Sequence, residues 1–158
     1  MDRKMPMTPA GAAKLKDELK RLKSVDRPRI VDEIERARAL GDLSENFEYH
    51  AAKNQQGLME ARIREIEDKL VRAEVIDPKS IKTHTIAFGA TISIIDVETE
   101  IPVTYQIVGG EESDLKAGRI SIDSPIAKQL IGKSVGDEVK IKVPGGVKTF
   151  EVAEIKYI

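Results

Sequence analysis

The sequence predicts an α+β protein: an antiparallel two-helix coiled coil over residues 1–78, a linker over 79–85, and a small, mostly antiparallel β-sheet domain with one short helix over 86–158. Three observations lead there. Apolar residues recur at spacings of four and three in two long segments before residue 74, the pattern of one helix packed on another. Gly41-Asp42 lies between those segments and carries turn chemistry. Past residue 85 the period changes, and β-branched residues partly alternate with polar ones in short runs.

The first helical segment opens at Thr8-Pro9, an N-cap followed by proline at the first helical position. Residues 1–7 before it are short and read as frayed or extended. Leu15, Leu19 and Leu22 form the seam. Pro28 interrupts it, because proline lacks the N–H and its ring clashes with the preceding turn. The helix must kink there or restart, with Asp26 as a cap. Ile30, Ile34 and Ala37 resume the spacing one residue out of frame, which a phase change at the proline accounts for. Gly41 takes a left-handed backbone at no steric cost and ends the segment. Asp42 and Ser44 are both suitable N-caps for the return helix.

That return is more regular. Ala52, Gln56, Met59, Ile63, Ile66, Leu70 and Ala73 hold one unbroken seam, and Asp77-Pro78 ends it. Charges of both signs occupy the other face. At about 1.5 Å per residue, some thirty residues make a hairpin about 45–50 Å long. The connection is short, so the helices must be antiparallel neighbours. In the second half, Ile86 to Glu98, Ile101 to Val108, Arg119 to Ile122, Glu138 to Val143 and Thr149 to Ile158 read as strands. Gly109-Gly110 and Pro144-Gly145-Gly146 read as turns, and Ser124-Pro125 starts a helix reaching about Ile131.

Composition narrows the function classes. Cysteine is absent, which excludes disulfides, thiol catalysis and Cys-based zinc sites. No apolar run of membrane-spanning length and no signal-peptide pattern is present, so a soluble cytoplasmic protein is expected, without a membrane partner. Lys and Arg total 26 against 27 Asp and Glu, and neither half is a polycation, which argues against free DNA or RNA as the primary partner. The glycine pairs lack the following helix of a phosphate loop, and no nucleophile motif surrounds Ser113, Ser121 or Ser124.

Asp42 and Glu45 are left at the far end of the hairpin, with two readings. Asp42 could cap the return helix with Glu45 as its third helical residue, both satisfying free backbone N–H groups. Alternatively the carboxylates point outward. Such a pair suits a hard cation such as Mg²⁺, although two ligands alone make a poor site and another molecule must help. His50 reads as a polar or packing residue of the helix. Phe47 and Tyr49 could plug the hairpin end, or Tyr49 could reach a partner. Arg38 and Lys53 are either solvated or hold phosphate.

The run Gly41-Asp42-Leu43-Ser44-Glu45-Asn46, with Glu48-Tyr49-His50-Ala51-Ala52-Lys53 and Gln55-Gln56-Gly57, closely resembles the signature of the bacterial transcript cleavage factors of the Gre type. Met7-Thr8, Ser124-Pro125-Ile126-Ala127, Leu130-Ile131-Gly132-Lys133 and Pro144-Gly145-Gly146 extend the resemblance over nearly the whole chain. It implies a globular half of FKBP-like fold and a DNA-linked transcription role. The protein would be a monomeric accessory factor rather than an enzyme. It would bind bacterial RNA polymerase at the rim of its secondary channel through Asp123, Ser124 and Pro125. Asp42 and Glu45 would be donated to the polymerase active centre, sharing a second Mg²⁺ there, and the 3′ end of backtracked nascent RNA would be cut. Arg38, Tyr49 and Lys53 would contact the active-site region or RNA. Ser44, Phe47 and Lys53 depart from the family pattern and bear on the contacts around the turn. Two other functions were weighed. An inhibitory channel plug would be expected to alter the turn acids, which are present here. A prolyl isomerase needs an aromatic-lined pocket, and the second half offers only Phe88, Tyr105, Phe150 and Tyr157.

Overall fold

A computed structural model describes residues 3–42 and 46–158. It divides into two compact units, residues 12–73 and residues 3–11 with 74–158.

The first unit is the helical hairpin. Helix α1 spans Pro9–Arg21, α2 spans Arg27–Arg38 and α3 spans Phe47–Arg72. A π-helical turn, Leu22–Asp26, joins α1 to α2 without a break. This turn is the physical form of the out-of-frame seam. A π turn takes up one extra residue, so Leu15 on one side and Ile30, Ile34 and Ala37 on the other are all buried. Pro28 follows this turn directly as the second residue of α2, and the π turn takes up the interruption that its ring and missing N–H impose on the helix.

Ile30, Ile34, Ala52, Met59 and Ile63 form the hairpin core, with Leu19, Leu22 and Tyr49 against it. Fully burying an isoleucine such as Ile63 stabilises by about 1.5–3 kcal/mol. Ion pairs flank the seam. Arg27 meets Glu60 through two bonds of 2.9 and 3.0 Å, and Arg62 meets Glu18 through bonds of 2.7 and 3.0 Å. Both are bidentate, which sets geometry more than energy at such exposure.

In the second unit, β1 (Met5–Met7) pairs with β2 (Ala73–Val75). The return helix therefore stops at Arg72, earlier than Asp77-Pro78 implied. The chain turns extended because it gains β1 as a partner, and Ile76 N–H donates to the Met7 carbonyl at 2.9 Å. Thr8 caps α1 as expected, accepting from Gly11 N–H at 3.1 Å. Its own N–H and hydroxyl both donate to the Glu112 carboxylate, which also accepts from Gly109 N–H. A Cβ on Gly109 would lie 2.5 Å from the Pro6 carbonyl oxygen, so only glycine fits there. Residues 5–8 thus take the extended form of the two expected, held within the second unit.

The main sheet contains β3 (Thr91–Asp96), β4 (Pro102–Val108), β5 (Arg119–Ser121), β6 (Glu138–Val143) and β7 (Gly146–Lys156) in the order β5-β4-β3-β7-β6. All neighbours are antiparallel except β4 and β5, which are parallel. Helix α4 (Pro125–Leu130) covers one face, and its Ala127 and Leu130 join Ile92, Ile94, Ile107, Val139, Ile141 and Val152 in the core. The expected hairpin at 144–146 is present: Val143 pairs with Gly146, and Gly145 takes φ +96°. The 79–85 stretch belongs to this unit. Thr85 bridges to Ser134, and the Tyr157 hydroxyl donates to the Thr85 carbonyl while accepting from Ala87 N–H. Among the described residues no helix is long and apolar enough to cross a membrane.

The Arg62 guanidinium holds the Glu18 carboxyl below its ordinary value of 4.5. A depressed carboxyl contributes stability above its unfolded pKa and loses it as the pH falls through the folded one. Glu18→Gln should therefore destabilise the hairpin by up to about 1 kcal/mol near neutrality. In urea melts that gap should narrow as the pH is lowered below about 4.5.

Candidate functional site at the hairpin turn

The turn is built from two helix ends that each leave backbone groups unpaired. Helix α2 ends at Arg38, and Leu40 and Gly41 N–H donate back to the Ala37 and Arg38 carbonyls at 3.1 and 3.4 Å. Gly41 has φ +119°, the left-handed region its position calls for. On the return side the N-cap of α3 is Asn46, whose side chain accepts from Tyr49 N–H at 3.0 Å. The cap is thus Asn46 and not Asp42, because α3 starts only at Phe47. Ser44 and Glu45 lie outside the described residues. Asn46 also donates from Nδ2 to the Ala37 carbonyl, so one carboxamide serves both helix ends.

Asp42 is exposed. Arg38 and Tyr49 come together, the guanidinium lying 6.0 Å from the ring centroid, a cation–π distance. Tyr49 packs on the hairpin core and meets the His50 ring edge-on at 5.5 Å. Phe47 does not share this packing and is 87% exposed. The plug at the hairpin end is thus Tyr49 alone of the two aromatics. Lys53 lies one turn further along α3, where it donates to Gln56 at 3.2 Å. Among the described residues no group of three or more His, Cys, Asp or Glu could hold a metal. A carboxylate such as that of Asp42 is the class of hard oxygen donor that Mg²⁺ takes.

The second unit presents Asp123, Ser124 and Pro125 together at the start of α4. Ser124 accepts from Ala127 N–H at 3.2 Å as its N-cap, and Asp123 N–H donates to Ser121 Oγ at 3.1 Å. Asp123 and Pro125 are exposed on this braced corner.

Both units now have their counterparts in known proteins. Residues 5–75 match the family described as "Transcription elongation factor, N-terminal", and residues 81–157 match "Transcription elongation factor, GreA/GreB, C-term". The chain belongs to the GreA/GreB transcription elongation factor family. It is 56% identical to "Transcription elongation factor GreA" of Rhodospirillum rubrum over 154 residues, 98% of each chain. It is 52% identical to the protein of that name from Syntrophotalea carbinolica over 158 residues, 100% of each. Among solved structures, that of Thermus aquaticus Gfh1 is 30% identical, covering 98% of this chain and 99% of the other, with a TM-score of 0.44.

Within this family signature, Asn46 was the residue sequence reasoning passed over. Its signal was available, since asparagine is among the preferred caps and stands one residue before the first helical turn. Asp42 and Ser44 obscured it by offering the same chemistry earlier in the run. Asn46→Ala should destabilise the isolated protein by about 1 kcal/mol, the usual cost of losing such a cap. Chemical denaturation of the two proteins side by side measures it.

Proposed function

We propose that this elongation factor binds bacterial RNA polymerase through the secondary channel and stimulates the polymerase's own Mg²⁺-dependent cleavage of backtracked RNA, rescuing arrested complexes. The observation that carries the reading is the turn. Asp42 is exposed at the end of a two-helix hairpin whose N-cap is supplied by another residue.

Asp42 and Glu45 offer hard oxygen donors to a cation that the polymerase centre also holds. A second Mg²⁺ bound there activates water and stabilises the leaving oxygen in the in-line cleavage of a phosphodiester. The factor contributes no complete catalytic set, so it is an accessory and not an enzyme in its own right. Arg38, paired with the Tyr49 ring, and Lys53 supply positive charge beside the acids, where the RNA 3′ end would lie. The braced corner of Asp123, Ser124 and Pro125 docks on the polymerase rim. A rigid, exposed corner suits this, because little ordering is required on binding. The phosphate-bearing substrate is met inside the polymerase, so a near-neutral factor has no need of a nucleic-acid-binding surface of its own.

The test uses polymerase stalled in a backtracked state, with the factor and Mg²⁺ added and RNA length followed. Shortening should accelerate. Asp42→Asn or Glu45→Gln should reduce the stimulated rate by at least about tenfold, since even groups one shell out from a metal carry that much. Unchanged RNA with slowed synthesis would show a channel plug instead. In the same assay, Asp123→Ala combined with Pro125→Ala should raise the half-saturating factor concentration and leave the maximal rate close to wild type. Asp42→Asn should do the reverse.

A further inference from the structure

We propose that Asn46 is a positioning residue: its carboxamide ties the end of α2 to the start of α3 and so holds Asp42 in place for the cation. The inference rests on the reading above. Its ground is the pair of bonds that Asn46 makes to opposite sides of the turn. Oδ1 accepts from Tyr49 N–H at 3.0 Å, inside the first turn of α3. Nδ2 donates to the carbonyl of Ala37, nine residues earlier, in the last turn of α2. Ala37 is buried in the hairpin, and Tyr49 packs on its core, so both anchors are fixed points.

The chemistry of the clamp is specific. A carboxamide carries an acceptor and a donor on one planar group. Serine supplies a good cap acceptor but is too short to reach back to Ala37. Aspartate supplies acceptors only and would face the Ala37 carbonyl with like partial charge. The clamp ties the last turn of α2 to the first turn of α3, and Asp42 follows the α2 end with Gly41 at positive φ beside it. Fixing the two helix ends before the cation arrives removes conformational freedom that would otherwise be lost on binding. A residue that only capped α3 would leave the α2 side of the turn unrestrained.

Asn46→Ser and Asn46→Ala separate the two roles, since serine keeps the cap and loses the link to Ala37. Both are assayed in the backtracked-polymerase reaction with Mg²⁺ and factor titrated separately. We expect both variants to need about tenfold more Mg²⁺ for half-maximal stimulated cleavage, the scale of losing a supporting group around a metal. Their half-saturating factor concentration should stay near wild type. If serine restores the wild-type Mg²⁺ dependence, capping alone suffices and the clamp is refuted. A changed half-saturating factor concentration with normal Mg²⁺ dependence also refutes it, because Asn46 would then be a polymerase contact. Absence of stimulated cleavage with the wild-type factor would instead sink the functional reading. The clamp is then read in the isolated protein by amide exchange at Leu40 to Asp42. Faster exchange in Asn46→Ser upholds it, and unchanged exchange overturns it.

Discussion

Ile30 and Ile34 of one helix lie against Ala52, Met59 and Ile63 of the other, and the hairpin depends on this contact. Neither helix has a second layer to cover it, so a single stripe per helix supplies the burial. Everything at the turn inherits its geometry from that stripe. Ala37 is where the α2 side of the seam ends, and Tyr49 is where the α3 side begins. The flanking ion pairs between Glu18 and Arg62 and between Arg27 and Glu60 select the antiparallel alignment rather than supply its strength.

The second unit solves a different problem. Its core is almost wholly branched aliphatic, with Ile92, Ile94, Ile107, Ile120 and Val152 meeting Leu130 of the single helix α4. Such side chains fit a pleated surface and leave no polar atom unpaired inside. The corner at Asp123 to Pro125 is braced by Ser124 and Ser121, so its exposed groups are presented by a backbone already satisfied. Glu112 binds the chain's early residues through Thr8 and Gly109, giving the strand β1 a place in this unit although it precedes the hairpin in sequence.

Acids at a solvent-facing turn are ordinary in themselves. What distinguishes Asp42 is that a neighbour takes the structural duty it could have performed. Helix N-termini demand an acceptor, and three candidates stand within five residues: Asp42, Ser44 and Asn46. The structure gives the duty to Asn46, whose Oδ1 accepts from Tyr49 N–H.

Local chemistry was enough to read the two-part architecture. Periods of 3.5 and 2 are visible in the order of residues, and Thr8-Pro9, Ser124-Pro125 and Pro144-Gly145 act on their own neighbours within a few positions. The one-residue slip between Leu22 and Ile30 was legible too, since a seam that changes frame must be absorbed somewhere. Its form as a π turn upstream of Pro28 was not, because that depends on which residues α3 offers opposite. The β1 to β2 pairing, the parallel edge strand β5 and the hold of Glu112 on Thr8 join positions far apart in the chain, and no local propensity encodes them. The choice of Asn46 over Asp42 as the cap was likewise tertiary. It needed the Ala37 carbonyl brought within reach, and only the closed hairpin puts it there.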